Sequence, residues 1–488
     1  MKTLSSLVLA TACAACSSGK LARVGPSDAG PPVPGEFRYG INGGFPNSAW
    51  SDQDLAQLEV AAGATSQRIS LPETHLTTWG WTIEVADVTA YAALGMSPPV
   101  AFLTGPTREH STAPSSAADW EVAYYMPKNL HEPITDASGA INPNNYWANY
   151  VYQTVKTYSP WVTIWEIWNE PDWVSDWQVT QAWATRAPIK ADLPRFNGSI
   201  YDYVRMLRVS REAARLADPR ARIATGGLGY ANFLAAIYRY TDEPTSGKVD
   251  AQHPKTGKDY VDVVSFHYYP IYTAGNSEAG VNGFLAERSD LKDVATASGA
   301  TPLGWECTET GAPHAAVGTY PGGADYARNY LLKVMTLAQT VGLGGVHWFV
   351  LSDGASDADP YHAMGLYQPV ANLVSTASAV RTDTGVAYAT LTQFLRGASY
   401  DAAATAALGL PSTVRGAVFQ KATRILILWA IPPSNSEDAA ATLSVASTTG
   451  FQAYAWDHAA TSASTPLASV NGVASLPLTG SPALFVER

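Results

Sequence analysis

A chain of 488 residues, 46% hydrophobic and 15% charged, has the composition of a globular protein too long for one small core. Its net charge of −11 argues against nucleic acid as a partner, so a neutral or locally recognised ligand is expected.

The first residues combine Lys2 with the apolar run "LSSLVLATACAAC" and a following polar, Pro/Gly-rich stretch. That order reads as a secretory signal over residues 1–16 followed by a linker over 17–36, and it predicts export to the periplasm, the cell surface or the medium. Cys13 and Cys16 stand where a bacterial lipoprotein carries its lipidated cysteine, with Cys16 the better placed of the two. An N-terminal lipid would then be the only membrane attachment. Once the leader is removed Cys307 is alone, so no intramolecular disulfide is expected.

From residue 37 to 397, short apolar runs alternate with longer amphipathic ones, as repeated strand-helix units require. In chain order the predicted strands are 37–43, 65–71, 97–103, 162–170, 221–227, 261–269, 302–309 and 344–351. Helical patterns lie between them, such as "SDQDLAQLEVAAG" with Ser51 as its cap and "YDYVRMLRVSREAARLADP" stopped by Pro219. Eight units is the count of a closed (β/α)₈ TIM barrel. About forty residues follow the third strand, and the segment 171–197 after the fourth is also long. Such loops rise on the C-terminal face of a barrel and build substrate walls. From residue 398 the pattern becomes short alternating runs with turns between, the signature of a small antiparallel β-sandwich.

The ends of the predicted strands are polar. Arg68 lies on the second, "NE" (Asn169, Glu170) closes the fourth, "HYY" (His267 to Tyr269) closes the sixth, Glu309 ends the seventh, and the eighth carries Trp348. Two glutamates at different strand ends suit glycoside hydrolysis, in which one carboxyl protonates the leaving oxygen and the other attacks the sugar or activates water. Glu306 rivals Glu309, but strand alternation places residues three apart on opposite faces, so Glu306 is expected to face the helix layer or a neighbouring base. Glu166 shares a face with Trp168 and Glu170 and lies roughly 13 Å deeper, out of reach of a sugar. Asp172 is open between a capping role and a contact to a substrate hydroxyl. Trp79, Trp81, Trp173, Trp177 and Trp183 fall near loops where indoles could stack on sugar rings.

Together "WEIWNEPD" (165–172), "FHYYP" (266–270) and "TETG" (308–311) resemble the strand-four, strand-six and strand-seven signatures of clan A glycoside hydrolases, most of all family 39, with a family 5-like barrel as the alternative. The resemblance implies Glu170 as acid/base, Glu309 as nucleophile and Asn169 on the sugar 2-hydroxyl. It further implies Tyr269 and Arg68 on the nucleophile, His267 lining the pocket and Trp348 as its floor, with Trp173 a further substrate contact. "VAFLTGPT" lacks the histidine that some clan families carry on strand three. The expected activity is a retaining hydrolase of a β-linked glycan, with a glycan-binding barrel or a transglycosylase as alternatives. No cofactor is expected, since there is no "HExxH", no paired thiol and no phosphate loop in "GINGG" or "TGGLG", which read instead as close-packing positions; nor is a metal. The chain is expected to act as a monomer.

Overall fold

The computed structural model describes residues 36–488 other than Pro46, Thr273, Ala274 and Asp357. The signal and lipidation readings at Cys13 and Cys16 lie outside these residues.

Every predicted barrel strand forms, each shorter than its apolar run: β1 (Arg38–Asn42), β2 (Ser66–Ser70), β3 (Val100–Leu103), β4 (Ile164–Ile167), β5 (Arg222–Ala224), β6 (Val263–Tyr268), β7 (Gly304–Thr310) and β8 (Gly345–Trp348). They pair in parallel and in order, and β8 returns to β1 with Gly40 opposite His347, so the barrel is closed. Parity sorts the side chains into two shells. Tyr39, Ile41, Trp165 and Ile167 face the surrounding helices, whereas Val100, Ile164, Ala224 and Val263 form an apolar layer inside.

Several helices begin where the sequence supplies a cap. Ser51 and Asp54 make a capping box before the helix Asp52–Ala62, and Ser199 with Asp202 does the same for the helix Ile200–Ala217. The latter lays Tyr203, Val204, Leu207 and Ala214 against the barrel and ends at Asp218, ahead of the predicted Pro219 stop.

Close approach explains the glycines. A Cβ on Gly40 would lie 2.2 Å from the His347 ring, and one on Gly226 would lie 2.4 Å from the Ile167 carbonyl oxygen. These are the packing positions expected of "GINGG" and "TGGLG".

Beyond the barrel helices the chain forms two antiparallel sheets around a second apolar cluster. The strand Arg424–Ala430 is apolar on both faces because both are buried. Ile425, Ile427 and Trp429 pack on the barrel's core, and Leu426, Leu428 and Ala430 fill the sandwich. Polar groups fasten the seam. Glu278, on the barrel helix Ser277–Ala297, accepts hydrogen bonds from Arg415 Nη1 at 2.8 Å and Trp429 Nε1 at 2.8 Å. Glu437 accepts from Ser277 N at 2.6 Å and Asn329 Nδ2 at 2.8 Å. No helix among the described residues is long and apolar enough to cross a membrane.

Burial raises several carboxyls of the scaffold above their usual range. Burial pushes Glu59 up to about 8 against the opposing hydrogen bonds of Gln67 and Tyr91. Burial likewise takes Glu287 to about 8, and Glu306 to about 7 despite Arg38. An acid whose folded pKa is raised contributes most below its unfolded value near 4.5, and that contribution is lost as pH rises through the folded value. Thermal stability is therefore expected to fall between pH 5 and pH 8. Glu59→Gln should flatten this slope, removing on the order of a few kcal/mol of pH-dependent destabilisation in a pair of melting series. An unchanged slope would place Glu59 outside the effect.

Candidate active site

A single guanidinium organises the C-terminal mouth of the barrel. Arg68, 4% exposed on β2, donates from Nε to Glu166 Oε2 at 2.7 Å, from Nη1 to Glu309 Oε1 at 2.5 Å and from Nη2 to Asn169 Oδ1 at 2.7 Å. Its cation also lies 4.1 Å from the centre of the Phe102 ring. Glu166 is fully buried and accepts further bonds from Ser265 Oγ and from Thr308 Oγ1, the latter at 2.7 Å. Every oxygen of Glu166 is thus occupied from within the barrel. It is the deep, satisfied acid expected from its depth on the strand.

Glu170 stands beyond the end of β4. The strand stops at Ile167, and Trp168 and Glu170 have φ of 74° and 49°, so the alternation expected through residue 170 is lost. As a result Trp168 turns away from the mouth, packs near Trp147 and Phe196, and donates from Nε1 to the Arg195 carbonyl at 2.6 Å. Glu170 is held by its own N–H, which donates to Gly226 O at 2.6 Å.

Glu309 reaches the same mouth through an irregularity. The β7 register slips against both β6 and β8, between Phe266 and His267 on one side and between Cys307 and Thr310 on the other. Thr308 and Glu309 consequently both contact interior groups. The same slip corrects the parity argument about Glu306. That carboxylate pairs with Arg38 on the barrel's inner face near the opposite end, so depth and a basic neighbour separate it from Glu309. Cys307 is free and buried, facing the helix layer.

His267 lies between the two carboxylates. Its Nδ1 is 3.0 Å from Glu170 Oε1 and 3.6 Å from Glu309 Oε2, and its Nε2 is 3.1 Å from Thr308 Oγ1. Tyr269 donates to Glu309 Oε2 at 2.6 Å. One oxygen of Glu170, one of Glu309 and a ring nitrogen of His267 all lie within 4.8 Å of one another. These three atoms could ligate a cation, but it would have to displace Arg68 and Tyr269 from Glu309.

Charge at the mouth is set by burial against these contacts. For His267 burial disfavours the cation, yet the Glu309 charge and the Glu170 hydrogen bond outweigh it and push the imidazole up. Burial pushes Glu170 up, but the His267 bond and the charges of Arg195, His267 and Arg68 more than reverse it, holding this carboxyl below its usual range. Arg195 is the residue that sequence reasoning missed. It ends the long loop after β4, and its Nη1 contacts Glu170 Oε2. Nothing in "LPRFNG" marks it, because the loop's path is set by the distant packing of Trp168 and Phe196.

The structure brings six of the eight predicted site residues to one point: Arg68, Asn169, Glu170, His267, Tyr269 and Glu309. Trp173 sits beside them, 38% exposed, with the Arg195 guanidinium 4.4 Å from its ring centre. Trp348 is a correction. His347 faces the interior, so parity turns Trp348 to the helix layer, where it is fully buried, near Tyr330, with Nε1 donating to Met364 O at 2.8 Å. Phe349 follows it, meets Tyr269 and Tyr361 edge-on, and is joined to Val350 by a cis peptide. Trp183 is likewise buried, while Trp79 and Trp177 are exposed. Asp172 is buried in the scaffold, its Oδ2 accepting from Gly229 N at 2.9 Å and Tyr230 N at 3.0 Å in the turn that precedes the helix Ala231–Arg239.

No protein-family profile matches the chain, and no curated protein does. Solved structures do. A family 39 glycoside hydrolase from the gut symbiont Bacteroides cellulosilyticus WH2 is similar with a TM-score of 0.60 at 16% identity, over 93% of this chain and 81% of that one. A monomeric beta-xylosidase from Caulobacter crescentus CB15 is similar with a TM-score of 0.56 at 16% identity, over 93% and 96%. A family 30 endoxylanase from Clostridium papyrosolvens C71 gives 0.53 at 15% identity, over 93% and 97%. The chain shares with these glycoside hydrolases the closed eight-stranded barrel and the appended β-domain.

Proposed function

We propose that the protein is a retaining glycoside hydrolase of a β-linked glycan, with Glu309 as nucleophile and Glu170 as acid/base. The observation that carries this reading is the approach of the two carboxylates, one oxygen of each lying within 4.8 Å of the other. Retaining enzymes hold their carboxyl groups about 5–5.5 Å apart, whereas inverting ones need about 6.5–9.5 Å to admit a water between acid and sugar.

In the first half-reaction a Glu309 oxygen bonds to the anomeric carbon as the glycosidic C–O bond breaks, and Glu170 gives its proton to the departing oxygen. A glycosyl ester on Glu309 results. In the second half Glu170 takes a proton from water, whose oxygen attacks the anomeric carbon and releases Glu309. Arg68 and Tyr269 each donate to one oxygen of the nucleophile and so fix its orientation. With Asn169 Oδ1 held by Arg68, its Nδ2 is the donor left for the sugar 2-hydroxyl. The basic, apolar and then Pro/Gly-rich order of residues 1–36 supports action outside the cytoplasm.

The test is stereochemical. On an aryl β-glycoside that the enzyme turns over, proton NMR of the first product should show the β-anomer before mutarotation. Glu170→Gln should slow substrates with poor leaving groups about 10²–10⁴-fold, and azide should then yield a β-glycosyl azide. First release of the α-anomer would overturn the reading.

A further inference from the structure

Both oxygens of Glu170 are occupied in the free enzyme. Oε1 meets His267 Nδ1 and Oε2 meets Arg195 Nη1. His267 belongs to the barrel wall, so Oε2 is the oxygen left to carry a proton to the departing group. A guanidinium covers it.

Arg195 is placed rather than draped there. Its carbonyl is anchored by Trp168 Nε1, and its guanidinium lies 4.4 Å from the Trp173 ring centre and 5.9 Å from that of Tyr124. These contacts hold the cation on the Glu170 side of the cleft, away from Glu309, which has Arg68 and Tyr269 of its own. Among the described residues Glu170 is the one carboxylate in ion-pair reach of Arg195. Asp172 nearby is committed to two backbone N–H groups. The other charged or titratable groups around Glu170 are His267 on β6, Arg68 on β2, Glu309 on β7, and the phenols Tyr230, Tyr269, Tyr272 and Tyr361. Glu309, the one further carboxylate among them, already accepts from Arg68 and Tyr269, and the phenols offer Arg195 no anion. A group that draws the guanidinium off Oε2 has to arrive with the substrate and bear negative charge.

We propose that Arg195 recognises a carboxylate on the leaving-group side of the scissile bond, and that this pairing uncovers Glu170 Oε2 for proton transfer. The inference rests on the glycosidase reading above and names the substrate class for that site, an acidic glycan or a glycoside of a carboxylated aglycone. A planar guanidinium braced against an indole is suited to a bidentate carboxylate, and exchanging one carboxylate for another conserves charge in the cleft.

The test compares leaving groups of equal shape. On the glycone that is turned over, kcat/KM is measured for the 4-carboxyphenyl β-glycoside and for its methyl ester, whose phenol is the better leaving group on electronic grounds. The acid is expected to be favoured by at least about tenfold. Arg195→Gln should bring the ratio to about one, and Arg195→Lys, which keeps the charge but loses the fork, should lie between and serves if the Gln variant does not fold. A second arm replaces the aryl acid by a uronic acid in the leaving position, against its methyl ester. Preference in either arm supports the proposal and tells which source of carboxylate the site takes. A ratio near or below one in both arms of the native enzyme overturns it while leaving the glycosidase reading intact. Absence of all turnover, or turnover unaffected by Glu309→Gln, overturns that reading and this inference with it.

Discussion

Glu309→Gln is expected to lower kcat/KM on an activated aryl β-glycoside by at least about 10⁴-fold, with a folded enzyme and an unchanged far-ultraviolet dichroism spectrum. The amide matches the carboxylate in shape; its oxygen can still accept from Arg68 and its NH₂ can donate to the Tyr269 hydroxyl, but it cannot form the glycosyl ester. No other carboxylate can take its place. Glu166 is fully buried behind Arg68, Ser265 and Thr308, and Glu306 lies with Arg38 toward the far end of the barrel. Arg68 keeps Glu166 as counter-ion in the variant, so the fold retains a paired guanidinium. Residual activity above roughly a tenth would put the nucleophile elsewhere.

The second large effect is on stability. Arg68→Met removes the one cation shared by Glu166 and Glu309, and Glu166, with no exposed surface, is left with two hydroxyl donors and no counter-charge. Breaking a buried ion pair from one side costs about 3–5 kcal/mol. A guanidinium chloride titration should show that loss as a lower midpoint with little change in slope. The double variant Arg68→Met/Glu166→Gln no longer buries an unpaired charge at Glu166 and should regain much of the stability. Activity should not return with it, because Glu309 and Asn169 still lack the group that orients them. A single variant less than about 1 kcal/mol below the native protein would mean that the pair is not as buried as its contacts indicate.

The barrel was legible because its information is local. Each strand is a short apolar run bounded by turn residues, and several helices carry their cap in the sequence, as at Ser51 and Ser199. The strand ends converge by topology alone, so Arg68, Asn169, Glu170, His267, Tyr269 and Glu309 could be grouped before any coordinates. What escaped depends on departures from regular geometry. The β7 slip put Glu306 and Glu309 on the same inner face, and the positive φ of Trp168 turned a residue expected beside Glu170 into the anchor of a loop. The resemblance implies Trp348 as the pocket floor, but parity with His347 sends it outward and leaves Phe349 beside Tyr269. Arg195 depends on a loop conformation that no periodicity encodes.

The two arginines at the mouth differ in how they are held. Arg68 rises from a barrel strand and is tied to groups on β4 and β7, so changing it disturbs the scaffold itself. Arg195 hangs from a loop pinned by one indole N–H and braced by exposed aromatics. Heritable variation therefore falls unequally on the two halves of the cleft. On the proposed reading, substitutions within 171–197 would alter which leaving groups are accepted while the strands that hold Glu309 stay in place.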